Sequence, residues 1–88
     1  MKIKKGFKLR EVDSLYVVIP GVQAADTFHG MITLNETGAY LWQKLQTSTT
    51  LEALTEGMIS EFAVDEETAK KDIEEFLNAV REKGLLDD

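Results

Sequence analysis

The 88-residue sequence contains no cysteine and a single histidine, His29. The absence of cysteine excludes disulfides, iron–sulfur clusters, zinc–thiolate sites and thiol nucleophiles. With one histidine, a metal site would consist almost entirely of carboxylates, and the spacing of an EF-hand loop does not occur. A Ser/His/Asp triad would need His29 as its base, yet no G-x-S-x-G motif accompanies it. The composition argues against an enzyme, and we expect no catalytic residue, cofactor or metal.

Long apolar runs are also missing. No run approaches the ~20 residues that a membrane-spanning helix requires. The basic start of the sequence, residues 1–6, lacks the apolar region of a secretion signal. We therefore expect a cytoplasmic protein that does not contact membranes. The length predicts one domain over residues 1–88, with a core large enough to fold alone.

Basic residues are scarce beyond residue 10. The formal net charge is −6, and the first ten residues hold five basic side chains and no acidic one: Lys2, Lys4, Lys5, Lys8 and Arg10. Residues 11–88 therefore hold 16 acidic against 5 basic side chains, a net charge of −11. An acidic body disfavours nucleic acid, whose phosphates need a basic surface. The basic start either suits an acidic partner or keeps a strand face soluble.

The first part of the sequence has the two-residue alternation of strands. Residues 7–10 alternate apolar and basic side chains, and residues 15–19 form a second apolar strand. Asp13 and Ser14 between them predict a tight turn and an antiparallel hairpin. Pro20 and Gly21 end the second strand. A third strand is predicted over residues 27–34.

The segment from Met31 to Trp42 joins the strands to the helices. It begins with good strand formers, and Asn35 is a preferred residue for the N-cap of a helix. An apolar stripe at helical spacing follows and predicts a helix from about Glu36 to Gln46. The stripe consists of Leu34, Gly38, Leu41, Trp42 and Leu45.

Two further helices follow. Thr49 and Glu52 have the spacing of a capping box and predict the start of the second helix. Asp65 predicts the N-cap of a third helix that runs from Glu66 to about Lys83, with Gly84 as the left-handed residue after its end. The predicted apolar stripes are Leu51, Leu54, Met58, Ile59 and Phe62 on the second helix, and Ala69, Ile73, Phe76, Leu77 and Val80 on the third.

The predicted order is β-β-β-α-α-α. It indicates an α+β, winged helix-turn-helix-like fold in which a three-stranded antiparallel sheet precedes three helices. In such folds the third helix commonly reads DNA. Here, however, residues 65–83 hold seven acidic and four basic side chains, a balance that phosphate would repel. A nucleic-acid-binding regulator is therefore kept only as an alternative.

The third predicted strand is the edge of the sheet if the strands are ordered 1-2-3. Edges are usually protected by charge or proline, and residues 27–33 contain no Asp, Glu, Lys, Arg or Pro. The edge is therefore a template to which a peptide can add as an extra strand, with the third helix as the other wall of the groove. The same edge could pair two copies of the chain, so the expectation is a monomer or a strand-edge dimer.

Several segments in this order resemble the PqqD-like family, the coenzyme PQQ synthesis protein D type, also called the RiPP recognition element. The resemblance covers about residues 6–86, and its sharpest part is the Leu-Asn-Glu-Thr-Gly segment. The segments include Gly6-Phe-x-Leu-Arg-Glu, Gly30-Met-Ile-Thr-Leu-Asn-Glu-Thr-Gly38, Val64-Asp-Glu-Glu-Thr68, Asp72-Ile-x-x-Phe-Leu77 and Lys83-Gly-Leu-Leu86.

The resemblance implies a non-catalytic chaperone that binds the leader segment of a ribosomally made precursor peptide. It also implies that the peptide is presented to a modifying enzyme, often a radical SAM maturase, in the biosynthesis of PQQ or another peptide product. The leader would pair with the third strand and lie against the third helix. The peptide-binding residues implied are Phe28, His29, Gly30, Met31 and Ile32 on the strand, and Asp72, Phe76, Ala79 and Val80 on the helix. The sequence does not show which flank of that helix faces the groove.

Overall fold

A computed structural model describes residues 1–13, 15–20 and 32–87 of the chain. Within these ranges the chain forms short strands followed by three helices, with a final short strand. The elements are β1 (Lys2–Ile3), β2 (Phe7–Val12), β3 (Leu15–Pro20), β4 (Ile32–Leu34), α1 (Glu36–Lys44), α2 (Leu51–Phe62), α3 (Glu66–Glu82) and β5 (Leu86–Asp87). The predicted fold class, a three-stranded antiparallel sheet followed by three helices, is confirmed.

The main sheet has the strand order β2-β3-β4, and both pairs are antiparallel. Val12 faces Leu15 at the end of the β2–β3 pair, so the predicted antiparallel hairpin is confirmed. Asp13, which follows Val12, has a φ of +58°, a conformation that Asp tolerates better than most residues. The central strand buries Val18 completely and places Tyr16 against the core. Its inner face is therefore the Tyr16–Val18 face.

Strands β1 and β5 form a separate two-stranded sheet that the sequence did not predict. Ile3 faces Leu86 across this pair, and the backbone N–H of Lys4 donates to the carbonyl oxygen of Leu85 at 2.8 Å. The N–H of Ile3 donates to the carbonyl oxygen of Leu45 at 2.8 Å, just after α1. With two residues in each strand, no alternating pattern is long enough to reveal them. The pair ties residues 2–4 to the ends of two helices.

The start of α2 differs from the prediction by one residue. Thr50, not Thr49, is the N-cap, and its hydroxyl accepts from the N–H of Ala53 at 3.1 Å. Thr49 is held instead by a backbone hydrogen bond in which its N–H donates to the carbonyl oxygen of Met1 at 3.0 Å. The predicted capping box between Thr49 and Glu52 is therefore wrong, because the helix starts one residue later and the residue three positions after its N-cap is Ala53.

Both ends of α3 follow the prediction. The Asp65 carboxylate accepts from the N–H of Thr68 at 2.7 Å, and its hydrogen bonds with Thr68 lower the pKa of this carboxyl. At the other end Gly84 has a φ of +74°, and Leu85 donates to the carbonyl oxygen of Val80 at 2.9 Å. Together with the bond from Gly84 to Arg81, this is a Schellman motif. All five residues of the predicted stripe on α3 are buried.

The core lies between the inner face of the main sheet and the three helices. Trp42 is 2% exposed at its centre, and the ring of Phe7 meets it edge-on with 6.2 Å between centroids. On α2 only part of the predicted stripe is inside: Leu54 and Met58 are buried, whereas Leu51 and Ile59 are exposed. No helix in the described ranges is long and apolar enough to cross a membrane.

A glycine allows α1 and α2 to approach closely. A Cβ atom on Gly57 would overlap the hydroxyl of Tyr40. The Tyr40 ring is itself held, because it packs edge-on against Phe62 at 5.4 Å and lies 5.5 Å from the Nζ atom of Lys44. The glycine is therefore explained by packing, although it weakens the helix by about 1 kcal/mol relative to alanine.

We expect the substitution Gly57→Ala to destabilise the chain, because the clash with Tyr40 outweighs the gain in helix propensity. In a Tyr40→Phe background the hydroxyl is gone, and the same substitution should raise the free energy of unfolding by up to about 1 kcal/mol. Urea unfolding of the four variants measures both effects. An equal effect of Gly57→Ala in the two backgrounds would show that Tyr40 does not set this contact.

Candidate functional site

The free side of β4 is the first component of the site. This strand pairs with β3 through Ile32, Thr33 and Leu34, and no strand in the described ranges pairs with its other side. An edge strand presents N–H and C=O groups that are available to another chain. The predicted edge position of the third strand is therefore confirmed within the described part of the sheet.

A cleft of about 450 Å³ opens beside this edge, between β4, the start of α1 and the middle of α3. Its apolar floor consists of the buried side chains of Leu34, Leu41 and Phe76. Two carboxylates of α3, Asp72 and Glu75, lie at its rim. The remaining lining residues belong to β4 and the first turn of α1: Thr33, Asn35, Thr37 and Gly38.

The junction between β4 and α1 explains the Leu-Asn-Glu-Thr-Gly segment. The side-chain oxygen of Asn35 accepts from the N–H of Gly38 at 2.8 Å and from the hydroxyl of Thr37 at 3.0 Å. A Cβ atom on Gly38 would lie 3.1 Å from the same oxygen and 3.3 Å from the Cβ of Leu34. The missing side chain lets the capping oxygen and the strand end lie close to the helix. The strand and the helix therefore meet at a sharp, hydrogen-bonded corner beside the cleft.

The structure shows which flank of α3 faces the cleft. Asp72, Glu75 and Phe76 lie at helical spacing i, i+3 and i+4, so they share one flank. Ala79 continues this flank by one turn and is exposed, but it does not line the cleft. Val80 is 2% exposed and belongs to the core. Of the four predicted helix residues, the structure brings Asp72 and Phe76 together at the cleft.

The predicted strand residues fall largely beyond the described ranges. Ile32 is half-buried at the start of β4, where it faces Val18 of β3 and packs against the core. Phe28, His29, Gly30 and Met31 lie outside the described residues. The peptide-binding role of all nine residues stays a prediction.

Several lining residues were not predicted. Leu34 and Leu41 were assigned to the core stripe of α1, and they do belong to the core while also forming the cleft floor. Glu75 was not among the predicted binding residues. Its position three residues after Asp72 was the signal that could have placed it beside that carboxylate.

The chemistry of this site is that of binding groups: an open strand edge, an apolar floor and two carboxylates. No group of three or more His, Cys, Asp or Glu side chains within residues 1–13, 15–20 and 32–87 is arranged to hold a metal ion. The cleft thus offers main-chain hydrogen bonds on one wall and side-chain contacts on the other.

Comparisons with known proteins agree with this architecture. A family model described as Coenzyme PQQ synthesis protein D (PqqD) matches residues 17–86. The chain is similar to TbiB1, solved in complex with the TbiA(beta) leader peptide, with 24% identity, a TM-score of 0.75 and coverage of 99% of this chain and 95% of that one. It is also similar to a lasso peptide synthetase B1 complexed with the leader peptide, with 20% identity, a TM-score of 0.71 and coverage of 96% and 93%. No curated protein matches the sequence.

We expect Asn35→Ala to lower the free energy of unfolding by about 1 kcal/mol, the usual effect of losing an N-cap. Asn35→Asp is the matched control, because it keeps the acceptor oxygen and places a negative charge at a helix N-terminus, where the dipole favours it. Urea unfolding compares the two variants with the parent chain. Equal losses in both variants would contradict the capping role of the Asn35 side chain.

Proposed function

The chain belongs to the PqqD family, and from that premise we propose that it is a non-catalytic, peptide-binding chaperone. It binds the leader segment of a ribosomally made precursor peptide by β-strand addition to β4. It then presents the peptide to a separate modifying enzyme of the radical SAM maturase type, in the biosynthesis of PQQ or a related peptide product. The family match over residues 17–86 covers the sheet edge and all three helices.

One observation carries this proposal: no described strand pairs with the outer side of β4, and residues of the same strand line the cleft that α3 walls. A peptide strand next to β4 would exchange main-chain hydrogen bonds with it, which gives affinity that is independent of sequence. Alternate side chains of the same strand would point toward the floor formed by Leu34, Leu41 and Phe76. The edge and the cleft therefore serve one ligand, an extended peptide.

The two similar structures support the proposal, because each was solved with a leader peptide bound. The acidic surface of α3 supports it as well. Four exposed side chains of this helix are carboxylates: Glu66, Glu67, Glu74 and Glu75. Such a surface repels nucleic acid but is compatible with a peptide.

The first test is a titration of isotope-labelled protein with the leader of a ribosomal precursor peptide from the same genome. We expect the largest amide shifts at residues 32–34 and on the Asp72–Phe76 flank of α3. A matched peptide with the same composition in scrambled order is the control. Shifts confined to other elements would overturn the site. Concentration-dependent shifts of β4 without any peptide would indicate a strand-edge dimer instead.

The second test distinguishes strand addition from other modes of peptide binding. In a paired strand every second N–H points to the neighbouring strand. We therefore expect N-methylation of single peptide bonds to weaken binding in an alternating pattern over the bound segment, because only the methyl groups that face β4 remove a hydrogen bond. Fluorescence anisotropy with a labelled leader measures the series. A uniform or absent effect would show that the peptide does not bind as a strand of this sheet.

A further inference from the structure

The cleft beside β4 combines an apolar floor with two carboxylates for which the described residues provide no counter-ion. Asp72 is half-buried and Glu75 is exposed, and neither forms an ion pair with any lysine or arginine in the described ranges. Lys70 of the same helix pairs with Glu66 at 3.2 Å, on the opposite flank. The cleft flank of α3 therefore presents two negative charges that the described part of the chain leaves unneutralised.

A ligand in the cleft must compensate the negative charges of Asp72 and Glu75. A strand that covers the floor removes water from the half-buried Asp72 carboxylate, and burial of an unpaired charge is unfavourable. An acidic side chain at this position would add repulsion. A lysine or arginine would instead supply the missing donor and the opposite charge, and arginine can bind a carboxylate with two parallel hydrogen bonds.

The spacing of the two features matches the spacing of a strand. Side chains on one face of a strand recur about every 6.8 Å, since each residue rises about 3.4 Å. Asp72 and Phe76 are four residues apart, or about 6 Å along the axis of α3. An added strand that runs along α3 can therefore place one side chain over Phe76 and the next side chain of the same face beside Asp72.

We propose that the cleft selects leader segments in which a large apolar residue and a lysine or arginine are two positions apart. The apolar side chain packs on Leu34, Leu41 and Phe76, and the basic side chain pairs with Asp72 and Glu75. Asp72 and Glu75 are then the residues that determine specificity for charge. This inference rests on the proposed function, because it assumes that a peptide strand occupies the cleft.

The test is a selection of random dodecapeptides, displayed on phage, against the intact chain. We expect the bound peptides to be enriched in an apolar residue followed or preceded at two positions by Lys or Arg. The same selection is repeated with the double variant Asp72→Asn/Glu75→Gln, for which the apolar preference should stay and the basic preference should vanish. The matched control is Glu67→Gln/Glu74→Gln, which removes two exposed carboxylates from the other side of α3 and should select like the parent chain.

A selected peptide, synthesised with a fluorescent label, gives the quantitative readout. We expect the Asp72→Asn/Glu75→Gln variant to bind it roughly two- to fivefold more weakly at low salt, the range of a partly exposed ion pair. Affinity for the parent chain should fall as salt is added, and affinity for this variant should fall less. The control variant should behave as the parent chain does.

The outcomes separate the two proposals. If peptides are selected and shift the amides of residues 32–34 but show no basic preference, or keep that preference in the Asp72→Asn/Glu75→Gln variant, this inference is overturned and the proposed function stands. If no peptide binds the cleft at all, the proposed function is overturned, and this inference is overturned with it. Loss of the basic preference in the Glu67→Gln/Glu74→Gln control would also overturn the inference, because it would show a general effect of charge on α3.

Discussion

The hydrogen bond from the N–H of Gly38 to the side chain of Asn35 governs the geometry of this molecule. It stops the strand and starts the helix within one residue, so the sheet edge and the core helix are set at a fixed angle. The helix then carries Leu41, Trp42 and Leu45 into the core. Because the strand end is coupled to these buried side chains, the edge keeps its position although no described strand pairs with its outer side.

The third helix completes the site because it contacts two environments at once. One side of it, from Ala69 to Val80, is buried in the core, and the adjacent flank carries Asp72 and Glu75 to the cleft. Phe76 belongs to both, since it is part of the core cluster and of the cleft floor. The cleft and the core thus share a side chain. If the proposed peptide binds there, a substitution of Phe76 would change stability and binding together, whereas the rim carboxylates could change binding without changing the core.

Much of this fold could be predicted from interactions between residues that are close in sequence. The caps at Asn35 and Asp65 and the end of α3 at Gly84 depend on neighbouring residues only, so they are readable from the sequence. The short strands β1 and β5 depend on a partner far along the chain and have no period of their own. Two adjacent threonines could each cap α2, and the structure shows that Thr50 does so. The apolar stripe of α2 was predicted too wide, because packing geometry determines how much of a helix face is covered.

The candidate site, too, was predictable only in the parts that depend on local sequence. That the third strand is an uncharged edge followed from composition and strand order. Which flank of α3 faces it did not, because the rotation of a helix about its axis depends on the packing of its buried side against the other elements. The buried positions Ile73 and Val80 fix that rotation, and it then brings Asp72 and Glu75 to the cleft.

The small β1–β5 sheet also has a consequence for the rate at which the chain folds. It joins residues from opposite ends of the described sequence, so it raises the contact order, and a higher contact order slows folding. Loop-closure entropy grows only slowly with loop length, at about 0.6 kcal/mol for each doubling, so the wide separation costs little stability. Ile3 and Leu86, which face each other across the pair, are both buried. The last strand pair therefore adds apolar burial to the core at a cost in folding speed.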